Sequence, residues 1–399
     1  MNKTLIASVL AGLLAVPSVQ AIEIYKDQKN AVSIGGFVDA RVINTQGETE
    51  VVNGASRINF GFERELTHGW SAFVMLEWGV NPFGNSDIVY SSKFESVQDD
   101  FFYNRLGYAG LSHDKYGTLT IGKQWGAWYD VVYNTNYGFV WDGNAAGVYT
   151  YNKDDGAING TGRGDKTVQY RNSFGDFSFA IQTQLKHDDF LMDESSGTNP
   201  FPPRDHAPVT GTAATAGTAT KVEFNNTYGI ALTYAVSKDL SLMAGYNYGE
   251  FEATRADGST FSESDYIYGA GITWGGWDNQ GLYAAANVNK NEFHDTDNLG
   301  RLIPESYGVE TLVSYRFDND IRTFVSYNLL NAGDAYEQAY GGDVFKRQFV
   351  VMGVHYIWDA NTVLYVEGRK DFSDFKGAEE AAMELSEDDG IAIGIRYTL

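Results

Sequence analysis

The feature that most constrains this chain is a hydrophobic alternation of period two, which begins at Ile22 and recurs to the last residue. Successive side chains of a strand point to opposite faces, so this alternation marks strands with one apolar and one polar face. In Arg57-Ile-Asn-Phe-Gly-Phe-Glu, Ile58, Phe60 and Phe62 share one face while Arg57, Asn59 and Glu63 take the other. Beyond the turn at Thr67-His68-Gly69, Trp70, Ala72, Val74, Leu76 and Trp78 line up in the same way. The pattern returns at Tyr266 to Trp274 and at Val350, Met352, Val354, Tyr356 and Trp358. It ends with Ile391, Ile393, Ile395, Tyr397 and Leu399.

The connections alternate between short and long. Short ones stand at Thr67-His68-Gly69, Asp114 to Gly117, Ser173 to Asp176, Ser237 to Asp239, Gly275 to Asn279, Asp318 to Asp320 and Asp359 to Asn361. Long polar stretches fall near 43–55, 80–100, 126–163, 186–221, 249–264, 290–305, 329–345 and 371–388. Seven turns and eight loops separate sixteen strands. An even strand count, with short turns at one end and long loops at the other, is the signature of an outer-membrane barrel. The expectation is therefore an all-β fold, a 16-stranded antiparallel transmembrane β-barrel, with residues 22–399 as one domain.

A secreted soluble β protein is the alternative. The polar face, with Arg57, Glu77, Arg105, Gln182, Gln184, Glu310, Arg322 and Arg369, would suit a water-filled interior or an outer surface equally. The aromatic residues discriminate better. Trp70, Trp78, Trp274, Phe317, Tyr356, Trp358 and Tyr397 gather near strand ends on the apolar face, where the two interfaces of a bilayer favour them. A sheet whose apolar face meets lipid must close, since no backbone group can stay unpaired there.

Lys3, the apolar run Leu5 to Val16 and the small-residue pattern Val19-Gln20-Ala21 predict a signal peptide over 1–21 and export. Cysteine is absent, which excludes disulfides and thiolate metal sites. The formal charge of −23 becomes −24 once Lys3 leaves with the signal, and this argues against a nucleic-acid partner. Six histidines are scattered without HExxH or paired spacing, and neither GxSxG nor a P-loop occurs. No cofactor and no metal are implied, so a barrel hydrolase is a remote rival. The acidic runs, such as Asp188-Asp189 and Glu387-Asp388-Asp389, read as solvated loop charge or as divalent-cation contacts at the lipopolysaccharide surface.

Tyr103-Asn-Arg105-Leu-Gly-Tyr-Ala-Gly-Leu111, the run Tyr116 to Trp125 and Tyr129-Asp130 carry the most specific likeness, supported by Ala55-Ser-Arg57-Ile and Tyr170-Arg171-Asn172. Together they resemble the general porins of Gram-negative outer membranes, along nearly all of the chain after residue 21. The resemblance implies a homotrimer of barrels in outer-membrane lipid and lipopolysaccharide, passing small hydrophilic solutes by diffusion. It also implies that the third long loop folds inward to form a constriction. Arg57, Arg105 and Arg163 would then face loop acids, with Lys123 as a fourth base. The family's Pro-Glu-Phe-Gly-Gly is absent; Trp141-Asp142-Gly143 stands near its place. Asp142 is the first choice for the acid, with Asp130 and Asp154 next. The chain ends in Leu399 where the family usually has Phe.

Residues 123–143, KQWGAWYDVVYNTNYGFVWDG, hold three Trp, three Tyr and a Phe with no clean period. Exposed to water, so many rings would form a large apolar patch, so the segment is expected to pack inside the barrel. Trp125, Trp128 and Trp141 could instead stack on sugar rings, which would make the channel saccharide-selective. The function expected is a passive diffusion channel for small hydrophilic solutes and ions, with a cation preference supplied by the acidic loops.

Overall fold

A computed structural model describes residues 21–45, 47–83, 86–88, 94–96, 101–141, 143–148, 156–185, 188–193, 219–254, 258, 260–297, 301–381 and 389–399. The chain forms a closed antiparallel barrel of sixteen strands. They are β1 Asn30–Thr45, β2 Glu48–Asn53 with Arg57–Glu65, β3 Trp70–Val80, β4 Phe102–His113, β5 Gly117–Trp125 and β6 Arg163–Phe174. There follow β7 Phe177–Gln184 with Asp188–Asp193, β8 Ala219–Ala235, β9 Leu240–Thr254, β10 Thr260–Trp274 and β11 Gly281–Glu292. The last five are β12 Ser306–Arg316, β13 Ile321–Ala332, β14 Val344–Ile357, β15 Thr362–Asp371 with Asp374–Lys376, and β16 Gly390–Thr398.

Each strand pairs with the next, and β1 pairs with β16 from Phe37 opposite Thr398 to Thr45 opposite Gly390. The segment Ile22–Lys26 continues the line of β16 along β1, with Ile22 opposite Ile34. Between these two pieces, the Leu399 N–H donates to the Gly36 carbonyl at 2.9 Å. The seam is thus made by both ends of the chain.

The alternation predicts facing correctly. Val354, Tyr356 and Trp358 on β14, and Ile391, Ile393, Ile395 and Tyr397 on β16, are exposed on the outer wall, while Arg105, Glu310, Arg322 and Arg369 are buried inside. All seven short turns stand where the sequence puts them.

Two expected loops are instead strand. β1 and β2 stay paired to Thr45 opposite Glu48, and β9 and β10 to Thr254 opposite Thr260. β8 has 17 residues and β9 and β10 have 15 each, well beyond the roughly 9–11 needed to cross a bilayer. Outside the lipid, the ladder hydrogen bonds persist while the apolar outer face is no longer required. The sequence therefore loses its alternation before the strand ends.

The inner face also departs from a uniformly polar lining. Ile267, Leu312, Phe324, Phe349 and Val351 point inward and are buried in clusters with residues of the third long loop, here L3. L3 comprises residues 126–162, of which 142 and 149–155 lie outside the described residues.

Candidate functional site: the constriction

L3 starts where the Gly126 N–H donates to the Gly162 carbonyl at 2.6 Å, so both arms of the loop leave the wall together. A short helical turn, α1 Tyr129–Val132, continues into one 3-10 turn at Tyr133–Thr135. This geometry gives the aromatic run a period that the sequence reading missed. Trp125, Tyr129, Tyr133 and Tyr137 recur every four residues, as one face of a helical turn requires. Trp125 stacks on Tyr129 at 3.9 Å between centroids, and Tyr137 stacks on Trp277 at 4.6 Å.

The wall supplies the hydrogen bonds that an irregular backbone inside a barrel would otherwise lack. Glu367 of β15 accepts from the N–H of Phe139 at 2.8 Å and of Val140 at 2.9 Å. Glu310 of β12 accepts from the Ala145 N–H at 3.0 Å and the Thr135 hydroxyl at 2.6 Å. Gln182 of β7 accepts from the Ala127 N–H and donates to the Gly160 carbonyl, both at 2.7 Å. Asn289 of β11 donates to the Ala145 carbonyl at 2.8 Å. Glycine permits this closeness at two points: a Cβ on Gly308 would lie 1.9 Å from the Ala145 carbonyl oxygen, and one on Gly143 would lie 2.2 Å from Glu310.

Packing completes the attachment. Trp128 is fully buried among Val131, Ala146, Ala180, Ala231, Met243 and Ile267, and its Nε1 donates to the Ala146 carbonyl at 2.7 Å. Trp141 is 6% exposed and packs with Ile43, Val52, Phe349 and Val351. Neither ring offers a face to a passing sugar, so the stacking expected of Trp128 and Trp141 is not available. The Trp125 ring is covered on one side by Tyr129.

The charged residues occupy the arc of wall from β16 through β6. Arg57, Arg105 and Arg163, predicted from three separate strands, do converge: Arg57 lies within electrostatic reach of Arg105, Arg163 and also Arg396. Arg105 Nε donates to Glu77 at 2.8 Å, and Arg57 Nη1 stands 3.9 Å from the same carboxylate oxygen. The Arg163 guanidinium lies 5.7 Å from the Trp125 ring centre. Lys123 pairs with Asp165 at 2.8 Å.

Asp130, on L3, is paired with Arg171 of β6 rather than with the Arg57 cluster. Asp142 and Asp154 lie outside the described residues. Sequence reasoning missed a second group, in which buried Asp39 of β1 accepts from Arg41 at 3.1 Å, from Arg396 at 2.7 Å and from the Tyr365 hydroxyl at 2.6 Å. The Arg396 guanidinium also lies 3.6 Å from the ring centre of Phe139 on L3 and 4.2 Å from that of Phe37. Only the alternation, which puts Asp39, Arg41 and Arg396 on the inner face, could have pointed to them. Among the described residues no group of three or more His, Asp or Glu is placed to hold a metal ion.

The model of the Gram-negative porin family matches residues 7–376. This chain belongs to the Gram-negative porin family. Outer membrane protein F of Serratia marcescens is 24% identical over 421 residues, covering 100% of this chain and 99% of that protein. Outer membrane porin N of Escherichia coli is also 24% identical, over 417 residues and 100% of both chains. Among solved structures, OmpF of Salmonella typhi in complex with daunomycin superposes with a TM-score of 0.67 at 19% identity, over 95% of this chain and 100% of that one. An anion-selective porin from Comamonas acidovorans gives a TM-score of 0.57 at 16% identity, over 93% and 100%. The porin is accordingly a non-enzymatic channel of the outer membrane.

Proposed function

We propose that this porin passes small hydrophilic solutes and ions with a net preference for cations, and that Arg57, Arg105, Lys123 and Arg163, facing L3, line its narrowest section. The observation that carries the reading is the pairing of the basic arc. Arg105 has Glu77, Lys123 has Asp165, Arg171 has Asp130, and Arg41 and Arg396 share Asp39. With most of the wall's positive charge answered locally, the excess acid of a chain at −23 sets the long-range potential. The transverse field between wall and loop then orients dipolar solutes without excluding cations. Asp142 remains the acid proposed to face the arginines, with Asp154 as the alternative.

The same reading includes a leader over residues 1–21, a mature chain starting at Ile22, and a homotrimer in outer-membrane lipid and lipopolysaccharide. Support for the trimer is indirect: OmpT of Vibrio cholerae, described in a trimer form, shares the fold at a TM-score of 0.58 over 93% of this chain. The test is a reversal potential across a tenfold salt gradient in planar bilayers, where cation preference fixes its sign. Asp142→Asn should move the potential toward anions, and current steps in threes support the trimer. A potential of anionic sign in the parent protein would overturn the preference.

A further inference from the structure

One contact between L3 and the wall differs from the rest because it cannot form with a neutral partner. His294, at the start of the sixth long loop, is fully buried beneath L3. Its Nδ1 lies 2.5 Å from Asp265 Oδ1 of β10, and its Nε2 lies 2.8 Å from the Gly147 carbonyl of L3. A carboxylate and a carbonyl are both acceptors, so each ring nitrogen must carry a proton, and the ring that makes both bonds is the imidazolium. Asn159 of L3 donates to the other Asp265 oxygen at 2.9 Å, so the same carboxylate grips a second point of the loop. We propose that His294 is a positioning residue that, as an imidazolium between Asp265 and Gly147, clamps the outer arm of L3 and makes the bore of the channel sensitive to alkaline pH.

The surroundings favour the charged ring. The groups facing it are Asp265 from β10, Asp295 beside it in its own loop, and the neutral Asn159 and Gly147 carbonyl from L3; Ile267 packs against Gly147. Burial opposes the charge, but Asp265, the bond to Gly147 and Asp295 outweigh it and hold the pKa above the ordinary histidine value. A pKa raised in the folded state stabilises the clamp fully below the unfolded value. That contribution disappears as pH rises through the folded value. The neutral ring can keep a proton toward only one of its two acceptors, so one attachment of L3 is released. Other attachments, at Glu310, Glu367 and Gln182, do not depend on this ring. The expected result is a more mobile outer arm within an intact barrel.

The experiment records single channels of the purified protein in planar bilayers from pH 5 to 10. In the parent, brief closures and subconductance steps should become more frequent above one alkaline midpoint. His294→Gln should abolish that step, giving gating that is flat across the range. Asp265→Asn should move the midpoint to lower pH, each unit of displacement being about a tenfold change in the clamp equilibrium. If a variant does not assemble, NMR titration of the six imidazoles in the parent protein supplies an independent readout. One ring should titrate above the ordinary range, at the same midpoint as the gating. The proposal is overturned by pH-flat gating in the parent, by a step that survives His294→Gln, or by two midpoints that disagree. A purely structural His294 would shift gating equally at every pH and leave the step in place. The inference rests on L3 setting the bore, which the selectivity of Arg57→Ala tests separately; altered selectivity with flat pH gating would remove only the clamp.

Discussion

Two arcs of the same wall face the same interior and are built in opposite ways. From β16 through β6 the inner face is ionic, with Asp39, Arg57, Glu77, Arg105 and Lys123 meeting across neighbouring strands. From β7 through β14 it is largely apolar, and Ile267, Leu312, Phe324 and Val351 are covered by L3. The difference shows that a barrel interior need not be one solvent. Where a loop displaces water, the wall behind it must resemble a protein core, and where water remains it can carry charge. L3 is thus core on one side and channel lining on the other, and its aromatic content answers to the covered side.

The comparison can be broken most forcefully at Trp128. Trp128→Ala should remove about 3–5 kcal/mol, the usual loss for a buried Trp, as read by thermal unfolding of the detergent-solubilised protein. Conductance should rise at the same time as L3 loosens. A loss below about 1 kcal/mol would mean that the apolar arc is not a core.

Adjacent residues of β14 sharpen the point. Met352 is 61% exposed on the outer wall and Val351 is fully buried inside. Met352→Arg should cost about 2–4 kcal/mol if it meets the bilayer midplane. For a simple water-filled interior, Val351→Gln would be almost neutral. Packed against Trp141, it should cost about 1–3 kcal/mol through a buried amide without partners. Folding titrations in which Val351→Gln matches the parent would restore the water-lined picture of this arc.

At Glu367 the change is smaller. Glu367→Gln keeps the shape but replaces one acceptor by a donor facing the Val140 N–H, a loss of about 1–2 kcal/mol by the usual cost of an unsatisfied buried group. The channel should become noisier with its selectivity nearly unchanged. Quiet single-channel records would mean that the carboxylate is not the anchor of the L3 tip.

The smallest effect on stability is expected in the ionic arc. Arg57→Ala should alter stability by less than about 1 kcal/mol, since its nearest carboxylate is already satisfied by Arg105 and partly exposed ion pairs contribute little. Its reversal potential should nevertheless move toward cations at low salt. The shift should fade near 1 M, where the Debye length falls to roughly 3 Å. An unchanged potential at low salt would place Arg57 away from the path of ions.

The sequence makes the scaffold legible because facing is a local property. Residue 350 or 391 reports its side of the wall through its nearest neighbours, without reference to the rest of the chain. The inward fate of the aromatic segment is legible for a similar reason, since its rings exceed what a surface loop can leave in water. Its attachments are not. Glu367 lies more than two hundred positions from Phe139, and nothing near it in sequence separates a carboxylate that lines a channel from one that caps a backbone. Gln182 reads as channel lining by alternation, yet it serves the L3 backbone. Strand length beyond the bilayer is hidden as well, because at Thr254 and Thr260 the pairing continues after the apolar pattern has stopped.

The seam between β1 and β16 bears on how the molecule comes into being. Thr45 meets Gly390 only after some 345 intervening positions are in place. A loop of that length costs only about 3 kcal/mol more to close than one of ten residues, because closure entropy grows with the logarithm of length. The severe constraint is the environment. Until both chain ends zip together, the growing sheet carries two raw edges of unpaired amides and carbonyls that hydrocarbon cannot solvate. Insertion and closure must therefore be one coupled event, and a chain shortened at either end of this seam is expected to stall as an open sheet at the bilayer surface.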